Sequence, residues 1–453
     1  VGLLYGSMQA VLTFRNLKYP IAMIGAGVLG ICFLILPRKF VFLQYMAGFS
    51  LPYYIELILK DGRGASVALS GTLLIAILLV VVGLATRSQP LILEPIVLVP
   101  AVGFVCAGLL SFLNTTDQTT TLIATWNQAE LVLFFLILVN FFRTEEDLVC
   151  LLRGLYLGFI LQCAIYVLQN FLGFSFDILG NTRYTGATDL EGGRITSQRG
   201  TYATSATMAA LYFSVVSLSL IGLFLSRRKL PIRLNALIGA GSGVICLILA
   251  AKRAPLASFV LGMITIAFLG WKLAPHSRPL LFKVLAGLAF PILLGLPVLL
   301  LRAEADHEAD YDERANLTKI AFEMFKANPI LGIGLGTYDS VKRDYLPPGW
   351  SGWLYTVHNR YLSTLAETGI VGVTFYVLRQ ALVLYAAFRG IFRVFPAFRP
   401  YQIGLIAGLV AIAWEMAWDI FLDRQHEYLV WFMTALVMIV PRALSNGRQP
   451  GVP

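Results

Sequence analysis

Residues 201–230 read TYATSATMAALYFSVVSLSLIGLFLSRRKL, an uncharged run ended by Ser226-Arg227-Arg228-Lys229. About 20 such residues, as a helix, cross the hydrocarbon core of a bilayer. The basic run has the character of a cytoplasmic loop, where Lys and Arg accumulate. This stretch therefore reads as a transmembrane helix that enters from outside and ends in the cytoplasm.

The rest of the chain repeats the pattern. Further apolar segments fall at 21–36, 40–59, 67–85, 91–113, 120–142, 147–172, 232–251, 254–271, 279–300, 361–388, 402–421 and 426–441. The 453 residues are 58% hydrophobic and 13% charged, and mean hydropathy is +0.75. A soluble chain carries about 25% charged residues. In lipid every backbone polar group must bond internally, so apolar segments of this length are helices. The fold class is all-α, a polytopic integral membrane helical bundle. We expect one early segment not to cross, and no cleavable signal peptide.

Charge orients the bundle. Counting outward from Arg227, the residues Lys272, Arg278, Arg389, Arg393, Arg399, Arg442 and Arg448 fall on the cytoplasmic side. Loops 173–200, 252–254 and 302–358 fall outside. The net charge of +10 is thus a topology signal, and no basic, aromatic-interleaved polar surface points to nucleic acid. Cys32, Cys106, Cys150, Cys163 and Cys246 lie in or beside apolar spans without metal-ligand spacing, so no structural disulfide is expected.

The longest polar interruption, Leu301–Val357, ends at His358, where the chain turns back into an apolar helix. Asn359 or a neighbour can cap that helix, and positive potential at its start favours a neutral imidazole. Leu317, Ile320, Ala321, Met324 and Phe325 make an apolar stripe at helical spacing, so 314–327 reads as an amphipathic helix on the outer membrane surface. It stops at Asn328-Pro329. Gly332, Gly334 and Gly336 lack the Gly-Lys-Ser/Thr of a phosphate loop and read as a tight turn. The acidic run Glu304, Asp306, His307, Glu308, Asp310, Asp312 and Glu313 lacks EF-hand spacing and reads as a solvated loop, not a metal site.

Three outer loops carry cations against the charge rule: Arg183, Arg194 and Arg199; Lys252 and Arg253; Arg302 and Arg314. Arg199 and Arg253 read either as interfacial anchors or as ligands for an anion, and Arg314 either as a solvated charge paired with Glu313 or Asp310 or as such a ligand, since charge near a membrane is costly unless paired. His426, with Trp414, Glu415, Trp418 and Asp419 before it, reads as an interfacial belt or as one wall of a site; the belt is the simpler reading. Asp423 is the functional outsider there.

Asn328-Pro329, Gly332, Gly334 and Gly336, followed by His358-Asn359, Tyr361-Leu362, Glu367, Gly369 and Gly372, resemble the signature of the O-antigen ligase/O-antigen polymerase superfamily. The resemblance implies about twelve spans and one large periplasmic helical loop. It divides one integrated domain into an N-terminal transmembrane bundle (1–300), a periplasmic loop (301–358) and C-terminal transmembrane helices (359–453). It implies an inverting, metal-independent glycosyltransferase of the bacterial inner membrane, with no cofactor. The donor would be an undecaprenyl-diphosphate-linked glycan. The acceptor would be lipid A-core in a ligase, or a second lipid-linked glycan in a polymerase. His358 would be the general base. Arg199, Arg253 and Arg314 would bind the diphosphate, with Arg194 and Lys252 as alternates, and Asn359, Tyr361 and Glu367 would support. A transporter of lipid-linked sugars is the alternative from another class.

Overall fold

The structure, a computed structural model, describes residues 38–52, 56–60, 66–86, 90–172, 206–287, 309–346, 356–419 and 424–445. Its helices are α1 (Lys39–Phe49), α2 (Gly71–Thr86), α3 (Pro95–Ser111), α4 (Gln118–Phe141), α5 (Glu145–Leu172), α6 (Ala206–Leu225), α7 (Leu230–Ala250), α8 (Arg253–Leu273), α9 (278–287), α10 (Ala309–Ala327), α11 (Arg360–Arg393), α12 (Arg399–Glu415) and α13 (Arg424–Ala443). Seven described helices are long and apolar enough to cross a membrane. The protein is an all-α polytopic membrane bundle.

Two expected spans change form. Segment 40–59 is an 11-residue helix followed by β1 (Glu56–Lys60), which pairs antiparallel with β2 (Ser66–Ser70) in register Glu56↔Ser70. An open two-stranded hairpin exposes unpaired backbone groups and does not sit in hydrocarbon, so this segment is not one span. Segment 361–388 lies within α11, which is broken: Gly369 has φ 61° and ψ −165°. The chain reverses there, because the Tyr361 hydroxyl bonds Gln380 Oε1 at 2.8 Å and the Tyr361 and Tyr376 rings meet edge-on at 6.1 Å. We call the two parts α11a (360–368) and α11b (370–393).

Neighbouring helices run antiparallel at close quarters. A Cβ on Gly222 would lie 2.6 Å from Pro400 O, and one on Gly404 2.8 Å from Leu218 O, so small residues let α6 and α12 touch backbone to backbone. This register puts the start of α6, the end of α12 and the start of α13 at one end of the bundle. The α7–α8 turn lies there too, since α7 runs against α6 through Gly239–Leu220 and Gly243–Ser217.

The opposite end gathers cations. Arg228 pairs with Glu145 at 2.7 Å and stacks 4.1 Å over the Phe398 ring, and Arg442 pairs with Glu94. Helix ends there are tied by the Val394↔Ser445 bridge and by Arg227 N–H to Ala397 O at 2.9 Å.

The amphipathic stripe on α10 exists, and the chain itself covers most of it. Leu317, Ile320, Ala321 and Met324 are buried against Ile333, Tyr338, Val341, Val357 and Ala366. The helix roofs the chain's own polar loop, so intramolecular packing takes the apolar face that sequence assigned to lipid.

Candidate functional site

The two halves of the 328–372 motif clasp one another. A break in a helix orphans backbone groups on both sides of it. Here the 329–334 segment supplies the partners: Ile333 N–H bonds Ala366 O at 3.1 Å, Gly334 N–H bonds Glu367 O at 3.0 Å, and Ile370 N–H bonds Pro329 O at 2.9 Å. The approach is too close for side chains. A Cβ on Gly332 (φ 72°) would fall 2.3 Å from Glu367 O, and one on Gly369 2.3 Å from Ile330 O. On its other flank the segment meets the α3–α4 turn, where Leu335 N–H donates to Ser111 Oγ at 3.0 Å and the Asn114 side chain to Gly332 O at 3.2 Å.

Glu367 belongs to this clasp. It does not turn toward His358; it accepts the Tyr338 N–H at 3.2 Å. The Tyr338 hydroxyl in turn donates to Leu317 O at 3.1 Å, tying α10 down. Burial, then Asp339 and Glu367, push the Tyr338 phenol above its ordinary pKa, so it stays a donor.

The approach to His358 is pinned from below. The Thr356 hydroxyl donates to Asp339 Oδ1, which also pairs with Lys342 at 2.7 Å. Val357 is buried. Asn359 is the N-cap: its side chain accepts Leu362 N–H at 3.0 Å and donates to Ala417 O at 3.0 Å. Arg360 N–H donates to Met416 O at 2.7 Å. The Tyr361 hydroxyl also lies 3.0 Å from Ala413 O. The start of α11a is thus fastened to the last turn of α12.

That junction sets the surroundings of the histidine. His358 Nδ1 lies 3.2 Å from Asp419 Oδ1, both side chains being partly accessible. The helix-start potential expected to act on His358 is therefore countered by the carbonyl end of α12 and by a carboxylate. A carboxylate at Nδ1 selects the tautomer with its proton there and leaves Nε2 as the acceptor. One turn before Asp419, Glu415 is fully buried and neither carboxyl oxygen has a hydrogen-bond partner among the described residues.

Beneath His358 lies a polar interior. Glu427 accepts from Arg360 Nη2 and from the Gln128 amide, each at 2.7 Å. Arg379 lies between the Tyr376 and Trp431 rings, 5.0 and 4.6 Å away. A cavity of about 10 Å³ beside Gln128, Arg379 and Glu427 has room for one water. Charges inside a membrane bundle persist where they are paired in this way.

Of the cations expected to bind an anion, Arg253 opens α8 at the motif end, two residues after Ala251, which holds φ 47° and ψ 39°. A left-handed alanine stores strain of order 1–3 kcal/mol, and such strain gathers at functional sites. Lys252 is the N-cap residue of α8, and its side chain makes no capping hydrogen bond. Arg314 is exposed on α10. Arg194, Arg199 and Asp423 lie outside the described residues, as do Glu304, Asp306, His307 and Glu308. Among the described residues no group of three or more His, Cys, Asp or Glu side chains is placed to hold a metal ion.

His426 is not an interfacial residue: it is fully buried, and its Nε2 lies 3.1 Å from Met208 O, joining α13 to α6. Asp419, grouped in sequence with the aromatic belt, is the partner of His358. The available signal was two carboxyls, Glu415 and Asp419, spaced i, i+4 at the end of an apolar helix. Trp414 and Trp418 are exposed and pack at 5.7 Å, as the belt reading expects.

Fold and site together define a polytopic helical membrane protein with a clasped motif loop that presents a His–Asp pair at one end of the bundle. Residues 236–377 match the family model described as O-Antigen ligase, about a third of the chain. The match supports the O-antigen ligase/polymerase superfamily and takes in Arg253, Arg314, His358, Asn359, Tyr361 and Glu367, while Asp419 lies beyond it. No curated protein matches the chain.

Proposed function

We propose that the protein is an inverting, metal-independent glycosyltransferase. It moves a glycan from undecaprenyl diphosphate to a sugar hydroxyl on the outer face of a bacterial inner membrane. The observation that carries the reading is Asp419 at Nδ1 of His358. His358 Nε2 takes the proton of the acceptor hydroxyl as that oxygen attacks the anomeric carbon. The bond from that carbon to the phosphate oxygen breaks on the opposite side, and the lipid diphosphate departs with the electron pair. Arg253 and Arg314, with Arg199, stabilise the charge that develops on it. The arginine-rich end of the bundle, away from the motif, is the cytoplasmic side by the charge rule, which turns the motif to the periplasm.

The O-Antigen ligase match favours lipid A-core as acceptor. Polymerisation of lipid-linked repeats uses the same chemistry. Purified protein incubated with lipid-linked glycan, with and without lipid A-core, separates the two. One shifted lipid A-core band supports the ligase; a ladder formed without lipid A-core supports the polymerase. Movement of donor across vesicles without glycosyl transfer would favour a transporter.

A further inference from the structure

At the end of the bundle opposite His358, we infer that the turn joining α8 and α9 binds an anionic phospholipid. Its acyl chain would occupy the groove between the two helices, and its phosphate would meet the cations of the turn. The groove has a volume of about 410 Å³ and is walled by Ile264, Phe268, Trp271, Leu281 and Leu285, with Lys272 at its rim. That volume lies within the ~300–1,000 Å³ of small-molecule sites. Phe268 and Trp271 are more than half exposed, so the wall is open to the surroundings of the bundle.

The cations are held in place by the same aromatic rings. Lys272 Nζ lies 4.5 Å from the Phe268 ring, and the Arg278 guanidinium 5.0 Å from that of Trp271, whose carbonyl accepts Arg278 Nε at 2.9 Å. The turn itself carries His276, whose Nε2 is buried without a hydrogen-bond partner among the described residues, and Arg399 Nε is buried in the same condition. Burial, then the charges of Arg227 and Arg399, hold His276 below the ordinary histidine pKa. The neighbouring acid Glu145 is already engaged by Arg228. The Lys272 and Arg278 cations call for an anion, and the adjoining apolar groove distinguishes a lipid phosphate from a free one.

The test uses the full-length protein, purified in detergent and stripped of lipid, with bound lipid read by native mass spectrometry. Phosphatidylglycerol and phosphatidylcholine of identical acyl chains are compared. The expected result is one retained phosphatidylglycerol, favoured about tenfold. Lys272→Ala with Arg278→Ala abolishes the preference, and Leu285→Trp, which fills the groove, weakens retention of both lipids. Equal retention of the two lipids, or a preference undiminished in the double variant, overturns the inference. Inorganic phosphate that competes as well as phosphatidylglycerol also overturns it, because the groove would then contribute nothing.

Discussion

Asp419 Oδ1 lies 3.2 Å from Nδ1 of His358, sixty-one residues earlier in the chain, and the two are brought together by the junction of α11a with the last turn of α12. Asn359 and Arg360 make that junction by bonding Ala417 O and Met416 O. The histidine is positioned by backbone, and its tautomer is chosen by a carboxylate.

Replacing Asp419 therefore tests the pair without touching the base. Asp419→Asn keeps the shape and removes the charge that fixes the Nδ1 proton. Transfer should fall at least ~10-fold, with less effect on the donor KM than on kcat. An Asp419→Asn enzyme with wild-type kcat would show that the contact is incidental.

The clasp predicts a stability effect. Gly369→Ala places a Cβ 2.3 Å from Ile330 O in a backbone region essentially reserved for glycine. The loss should be on the order of 1–3 kcal/mol from conformation alone, and more with the clash. Thermal unfolding in detergent should show a lowered midpoint. Gly241→Ala, where an added Cβ meets nothing within 4 Å, should leave the midpoint unchanged or raise it. Equal midpoints for the two variants would remove the clasp from the account.

The arginines predict a graded donor effect. Arg253→Ala and Arg314→Ala should each weaken use of the lipid-linked donor, and Lys at either position should rescue only in part, because it lacks the planar fork. Normal donor kinetics in both Ala variants would unmake the cradle.

In the proposed mechanism guanidinium groups at the diphosphate take the place of a divalent ion. Transfer should accordingly continue in EDTA. Activity that disappears on chelation and returns with Mg²⁺ or Mn²⁺ would contradict this.

The sequence made the all-α bundle legible because length and hydropathy mark its long apolar helices. It made His358, Asn359 and the three glycines legible because the motif is local. What it could not give depends on contacts across the chain. Gly369 stood in the motif, yet the reversal it permits follows from the partners that 329–334 offers to the broken helix. The α10 stripe was correctly placed on a helix, but an apolar face does not say whether lipid or protein covers it. His426 and Asp419 look alike in sequence, a polar residue near a span end. Only the antiparallel packing of α6, α12 and α13 buries one and turns the other to His358.

If His358 accepts the proton of the attacking hydroxyl, purified His358→Ala loses that step. Glycan transfer from a lipid-linked donor would be measured beside the wild type, with donor binding measured separately. Transfer should fall about 10²–10⁴-fold with donor binding retained. His358→Gln should do no better, since an amide cannot take the proton, and His426→Ala should keep most of its activity if it folds. Near-normal transfer by His358→Ala, or its restoration by His358→Gln, would contradict the account.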